Sequence, residues 1–103
     1  MIIYNTTFHI DKSVEKVGVE YLRTEYIPKA AASGFLMTPR MMRVLTAEED
    51  EGASYSVQFH VKNVEVLNFW LENEGRRLQQ QLVQRFGRSI AGFTTLLDEL
   101  KLD

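Results

Sequence analysis

Two stretches of strict two-residue alternation constrain this chain more than anything else in it. In the first, Ile2, Tyr4, Thr6, Phe8 and Ile10 fall on one face, and Ile3, Asn5, Thr7 and His9 on the other. The second is cleaner: Tyr55, Val57, Phe59 and Val61 face one way, and Ser54, Ser56, Gln58 and His60 the other. A period of two, carried by β-branched and aromatic residues, marks a half-buried strand. Each alternation is followed by a helical pattern. Asp11 and Ser13 are expected to cap a first helix from about Val14, with Val14, Val17, Gly18, Tyr21 and Leu22 as its apolar side. Pro28 has no N–H to give, which predicts a kink near Tyr26–Ile27, a resumed turn over Lys29–Ala32 and a stop at Gly34.

Asn63 is expected to cap the second helix. Val64, Leu67, Leu71, Gly75, Leu78, Leu82 and Phe86 then recur at steps of three and four. Gly75 inside that stripe predicts a close approach to the sheet or the first helix, and Gly87 ends the helix. Two further extended stretches complete the chain. Phe35–Leu45 contains Pro39, so it must be an edge strand or bulge there. Ile90–Leu97 reads as the last strand, and 98–103 as a polar tail or short helical turn. Thr46–Gly52 reads as a solvated acidic turn.

The order is therefore βαββαβ. Right-handed crossovers turn it into a four-stranded antiparallel sheet of order 4-1-3-2, with both helices on one face, in an α+β fold. At 103 residues the whole chain, 1–103, fits one domain. A domain this small hides only about 60–70% of its unfolded surface, so pairing with another chain is a natural supplement. No cysteine is present, which removes disulfides, thiolate metal sites and cysteine nucleophiles. Fourteen acids against twelve bases leave a net charge of −2 and no global attraction for nucleic acid or an anionic membrane. No apolar run approaches the roughly 20 residues of a membrane span. The opening Met-Ile-Ile-Tyr-Asn lacks the basic start of a signal peptide, so the expectation is cytoplasmic.

One sheet face is left without helices. It carries Asn5, Thr7, His9, Ser56, Gln58 and His60 mixed with Ile3, flanked by methionines and aromatics. Such a face is either solvated or enclosed against a second sheet as a semi-polar cavity. An isologous dimer is the commonest route to the second arrangement. Phe69 falls off the Val64–Phe86 stripe with Val66 near it, pointing to a contact on the outer helix face.

Glu25-Tyr26-Ile27-Pro28, Ala31, Ser33-Gly34-Phe35, Arg40 and Arg43-Val44 resemble the dimeric α/β-barrel superfamily of ferredoxin-like proteins. Phe69-Trp70-Leu71 leading to Arg77-Leu78 does so too. The opening 1–8 and closing 92–96 resemble a bacterial domain-of-unknown-function family within it. The resemblance implies a homodimer whose sheets form a barrel, and it transfers no activity. Asn5 and Trp70 resemble two of three residues that haem-degrading members use. The third, an iron-ligating histidine, is missing: Gln79, Gln80 and Gln81 occupy its region, and glutamine is a poor axial ligand. No cofactor is expected.

His9 and His60 are the only imidazoles, placed at opposite ends of antiparallel neighbours, so no metal pair follows. Either could act as a base, and each also reads as an ordinary strand histidine. Arg40 and Arg43 border the open face, where a guanidinium fork suits a carboxylate or phosphate; pairing with Glu48–Glu51 competes. Arginines 76, 77, 85 and 88 are not interleaved with exposed aromatics, Phe86 and Phe93 being assigned to the core, so nucleic acid is not expected. There is no phosphate-cradling glycine loop and no nucleophile elbow.

Two functions follow. The first is a non-catalytic homodimeric module binding a small organic ligand through Asn5, Thr7, Arg43, Ser56, Gln58 and Trp70. The second is a cofactor-independent, monooxygenase- or isomerase-like enzyme with His9 or His60 as base. The first is favoured, because no acid–base pair converges on the polar face.

Overall fold

A computed structural model describes residues 1–45 and 52–103, so the expected acidic turn Thr46–Gly52, apart from Gly52, and its pairing with arginines lie outside the described residues. Four strands form one antiparallel sheet: β1 (Ile2–Asp11), β2 (Met37–Arg43), β3 (Gly52–Val61) and β4 (Ile90–Asp98). Their order is β2-β3-β1-β4, the order the sequence predicts. In register Tyr4 faces Phe59, Thr6 faces Val57 and Phe8 faces Tyr55, so the two alternations stack their apolar sides together. That side meets the helices in a core of Tyr4, Phe8, Ile10, Val57, Phe59 and Val61 against Tyr21, Leu22, Tyr26, Leu67, Trp70, Leu78 and Leu82. Edge-on ring pairs bind the layers, Tyr4 to Trp70 at 5.9 Å and Phe8 to Tyr26 at 5.4 Å between centroids.

The first crossover is less regular than its sequence. Neither Asp11 nor Ser13 caps it; a tight 3₁₀ turn at Lys12–Val14 leads in, and Glu15 N–H bonds the Lys12 carbonyl, so backbone replaces the side-chain cap. The α-helix α1 (Glu15–Tyr21) passes through a π turn at Leu22–Tyr26 into α2 (Ile27–Ala31). The proline is absorbed there. Ile27 N–H bonds the Leu22 carbonyl five residues back, and Pro28 follows directly, so the wider turn before it accommodates its ring and its missing N–H. Val17, expected on the apolar side, is 55% exposed. Gly34 stops the crossover at φ 83°, its N–H on the Ala31 carbonyl.

Pro39 meets both conditions set for it. β2 is an edge strand, and its register against β3 shifts between Met37 and Arg40. In the second crossover Asn63 caps α3 (Val64–Trp70), its side-chain oxygen accepting from Val66 N–H at 2.9 Å. A second π turn, Leu71–Gly75, leads to α4 (Arg76–Phe86), with Arg76 N–H on the Leu71 carbonyl. The extra residue slips the helix phase by about 100°. Trp70, off the counted stripe, is thereby buried, while Leu71 is only half-buried. Gly75 makes room for neither sheet nor first helix: a Cβ there would lie 2.8 Å from the Trp70 ring of its own helix.

β4 runs in unbroken register beside β1, and only Ile90 in it is buried. No helical turn follows; Glu99 N–H carries the ladder one step on, to the Met1 carbonyl.

Candidate ligand-binding face

The face of the sheet opposite the helices is built by register. Ile3, Asn5, Thr7 and His9 of β1 lie between His60, Gln58, Ser56 and Ser54 of β3 and Leu97, Thr95, Phe93 and Ala91 of β4. Arg40 and Met42 of β2 extend it beyond Gln58 and Ser56. At its centre Asn5 is only 8% exposed, although no helix covers it. Its carbonyl accepts from the Ser56 hydroxyl and its amide donates to Thr7 Oγ1 at 3.3 Å. Asn5, Thr7 and Ser56 thus form one network with half-buried Gln58 beside it. Around this polar floor stand large apolar side chains, Phe93 64% and Leu97 42% exposed.

The two histidines close opposite ends. His9 faces Ser54 and shares a hydrogen bond with its hydroxyl at 3.3 Å. His60 faces Ile3, six residues back along β1 or about 20 Å away, and pairs with Glu99 at 3.0 Å. Neither imidazole meets the other or a second ionisable group at the floor. Among the described residues no group of three or more His, Cys, Asp or Glu could hold a metal ion.

Three expected placements change. Arg43 is not on this face: it stands opposite Tyr55, and its guanidinium lies 4.0 Å from Glu15 on the helix side. There Glu15 accepts from the Tyr55 hydroxyl at 2.6 Å, and burial, reinforced by that bond, raises the phenol above its usual range. Arg40, opposite Gln58, is the guanidinium on the open face. Trp70 is 1% exposed inside the helix–sheet core, so the sheet separates it from Asn5 and the two cannot flank one ligand as the haem pattern requires. Its indole N–H and Thr6 Oγ1 are buried without a hydrogen-bond partner among the described residues. Phe93, assigned to the core, is on the open face instead, because it stands opposite Thr7. Met41 turns the other way and packs on the core.

Elsewhere charges are paired within one helix, Arg77 with Glu74 at 3.6 Å, and between the two crossovers, Arg85 with Glu25 at 3.5 Å. Phe69, off the helical stripe, meets Phe35 edge-on at 5.7 Å, and both rings remain partly exposed. No helix among the described residues is long and apolar enough to cross a membrane.

Solved structures share this architecture. HapK from Hahella chejuensis is 11% identical with a TM-score of 0.71, covering 100% of this chain and 96% of that one. A point mutant of MhuD, with two manganese protoporphyrin IX bound per active site, is 15% identical with a TM-score of 0.66, covering 100% and 97%. A dimeric ferredoxin-like protein from an uncultured marine organism is 10% identical, also at 0.66, covering 98% and 97%. At such identity the likeness establishes a ferredoxin-like fold. No curated protein matches the chain. The model of one family, described as Domain of unknown function (DUF4286), matches residues 1–100.

Proposed function

This chain belongs to the DUF4286 family, and from that premise we propose that it is a bacterial, cytoplasmic homodimer, one domain over 1–103, that binds a small organic molecule on the open face without transforming it. The observation that carries this reading is Asn5: a hydrogen-bonded amide, 8% exposed, at the floor of a face whose border leaves Phe93 64% exposed. Polar groups fixed at the bottom of an apolar surround are how small-molecule sites set orientation. Asn5, Thr7, Ser56 and Gln58 supply donors and acceptors, and Arg40, which has no charged partner among the described residues, supplies an anchor for a carboxylate or phosphate. A dimer is supported by the neighbour described as dimeric.

A reaction is the weaker reading. Acid–base chemistry needs ionisable groups converging on one atom, and His9 and His60 are engaged at opposite ends of the face.

Native mass spectrometry of freshly purified protein is the test. A dimer carrying the extra mass of a small molecule, with that mass lost in Asn5→Ala or Arg40→Gln, is the expected result. A bare dimer sinks the ligand, and a clean monomer sinks the whole reading.

A further inference from the structure

The outer face of the second crossover carries the contact residue that the helical stripe left over. Phe69 is 57% exposed and Phe35 41%, their rings edge-on to each other. A lone exposed ring is ordinary, but here two rings from different crossovers are brought together on the surface. Both are held from the backbone. Phe35 N–H donates to Ser33 Oγ at 3.2 Å, just past the left-handed Gly34, and Asn73 Nδ2 donates to the Phe69 carbonyl at 2.7 Å. The border of the pair is acidic. Glu65 lies one turn before Phe69 and Glu72 one turn after; both are exposed, and neither has an ion-pair partner among the described residues. From Asn63 to Gly75 the chain carries three acids and no base, with Lys62 and Arg76 just outside. The third acid, Glu74, is taken by Arg77. The first crossover ends at Ala31, shortly before Phe35, and the partial negative charge of a helix C-terminus adds to the same bias.

We propose that the Phe35–Phe69 pair is a docking site for an arginine-rich segment of another protein, laid extended along α3. Charge complementarity selects this occupant. A guanidinium answers both features of the surface, because its plane stacks on aromatic faces and its fork pairs with carboxylates. The same acidic border repels nucleic acid and anionic membranes. Spacing sets the form of the segment. Glu65 and Glu72 stand about 10 Å apart along the helix. An extended run of five residues, basic at both ends and aromatic in the middle, turns those three side chains to one side over about 13 Å. Its centre then covers the phenyl rings, and flexible arginine stems bring the two ends onto the carboxylates. The contact is small, so the association is weak and rapidly reversible. It lies on the helix side of the sheet and does not depend on a ligand at the open face.

The test is a titration of the nitrogen-15-labelled full chain with the peptide acetyl-Arg-Ser-Trp-Ser-Arg-amide, followed by amide chemical shifts. Shifts are expected to gather at 33–37 and 64–74, and to be absent with acetyl-Glu-Ser-Trp-Ser-Glu-amide. Phe69→Ser is expected to weaken binding at least about tenfold with an unchanged far-UV circular dichroism spectrum. The double variant Glu65→Gln, Glu72→Gln is expected to weaken it about fivefold and to remove its salt dependence, with the thermal melt unmoved because both side chains are exposed. Equal binding of the acidic peptide, shifts centred on the open face, full affinity in Phe69→Ser, or no saturation up to about 5 mM of the basic peptide overturns the proposal. A Phe69→Ser variant with a lower subunit count by native mass spectrometry assigns the patch to a second copy and overturns it too.

Discussion

The two faces of β1 and β3 are made from the same strands in the same register, yet they are held together by different forces. On the helix side Tyr4, Phe8, Val57 and Phe59 are almost fully buried against two crossovers. Order there comes from packing, where each missing methylene leaves a void. On the other side Asn5, Thr7 and Ser56 are ordered by hydrogen bonds and not by a covering layer. One face stores stability. The other holds polar groups in place at little cost to the fold, which is what a binding surface needs.

Substitutions should separate the two. Phe8→Ala, which empties a fully buried ring site between Tyr26 and Gly92, is expected to cost about 3–5 kcal/mol of unfolding free energy in urea titration. A loss as small as that of an open-face variant would show that the helix-side core is not continuous.

Alkaline pH should attack the same face alone. Burial, and next the neighbouring Tyr4, raises the Tyr26 phenol far above its ordinary value of 10.0. The unfolded chain releases this proton above about pH 10 while the folded chain keeps it, so stability is complete below pH 10 and falls as pH rises further, by about 1.4 kcal/mol per unit for such a group. Thermal melts between pH 9 and about 11.5 should show the decline, and Tyr26→Phe should make it shallower, leaving the part due to Tyr21 and Tyr55, whose phenols burial also raises. An unchanged slope in that variant would place the sensitivity elsewhere.

Asn5→Ala is expected to have the smallest effect, about 2 kcal/mol, since it loses two hydrogen bonds that contribute roughly 1 kcal/mol net each. Its hydroxyl partners turn to water. A loss near that of Phe8→Ala would mean that the polar floor is a second core rather than a site.

How far the sequence carries the reader depends on which periodicity is used. The period of two survives without interruption in β1 and in β3, so strand order, pairing and both faces of the central strands were legible. Parity also contained the answer for the arginines. Arg40 and Arg43 are an odd number of residues apart, and past the bulge the strand is regular enough to send them to opposite faces. Phe93 was harder, because β4 alternates apolar with apolar and only its pairing with Thr7 decides the side. The helical period failed where a π turn interrupts it. Trp70 lies off a stripe counted at 3.6 residues per turn and on the buried side of the real one. The floor of the candidate site was therefore largely readable, its anion anchor only by parity, and Trp70 was misplaced because no side chain announces an inserted backbone residue.

The two π turns have a consequence for length. Each crossover is one residue longer than an unbroken α-helix covering the same rise, at Leu22–Tyr26 and at Leu71–Gly75. Removing one residue from either would yield a better-bonded helix with its second half turned away from the sheet, so the chain cannot be shortened there as a surface loop can. In this fold residue count within a helix is as much a specification as residue type, and relatives that differ in crossover length should also differ in which side of α2 or α4 is apolar.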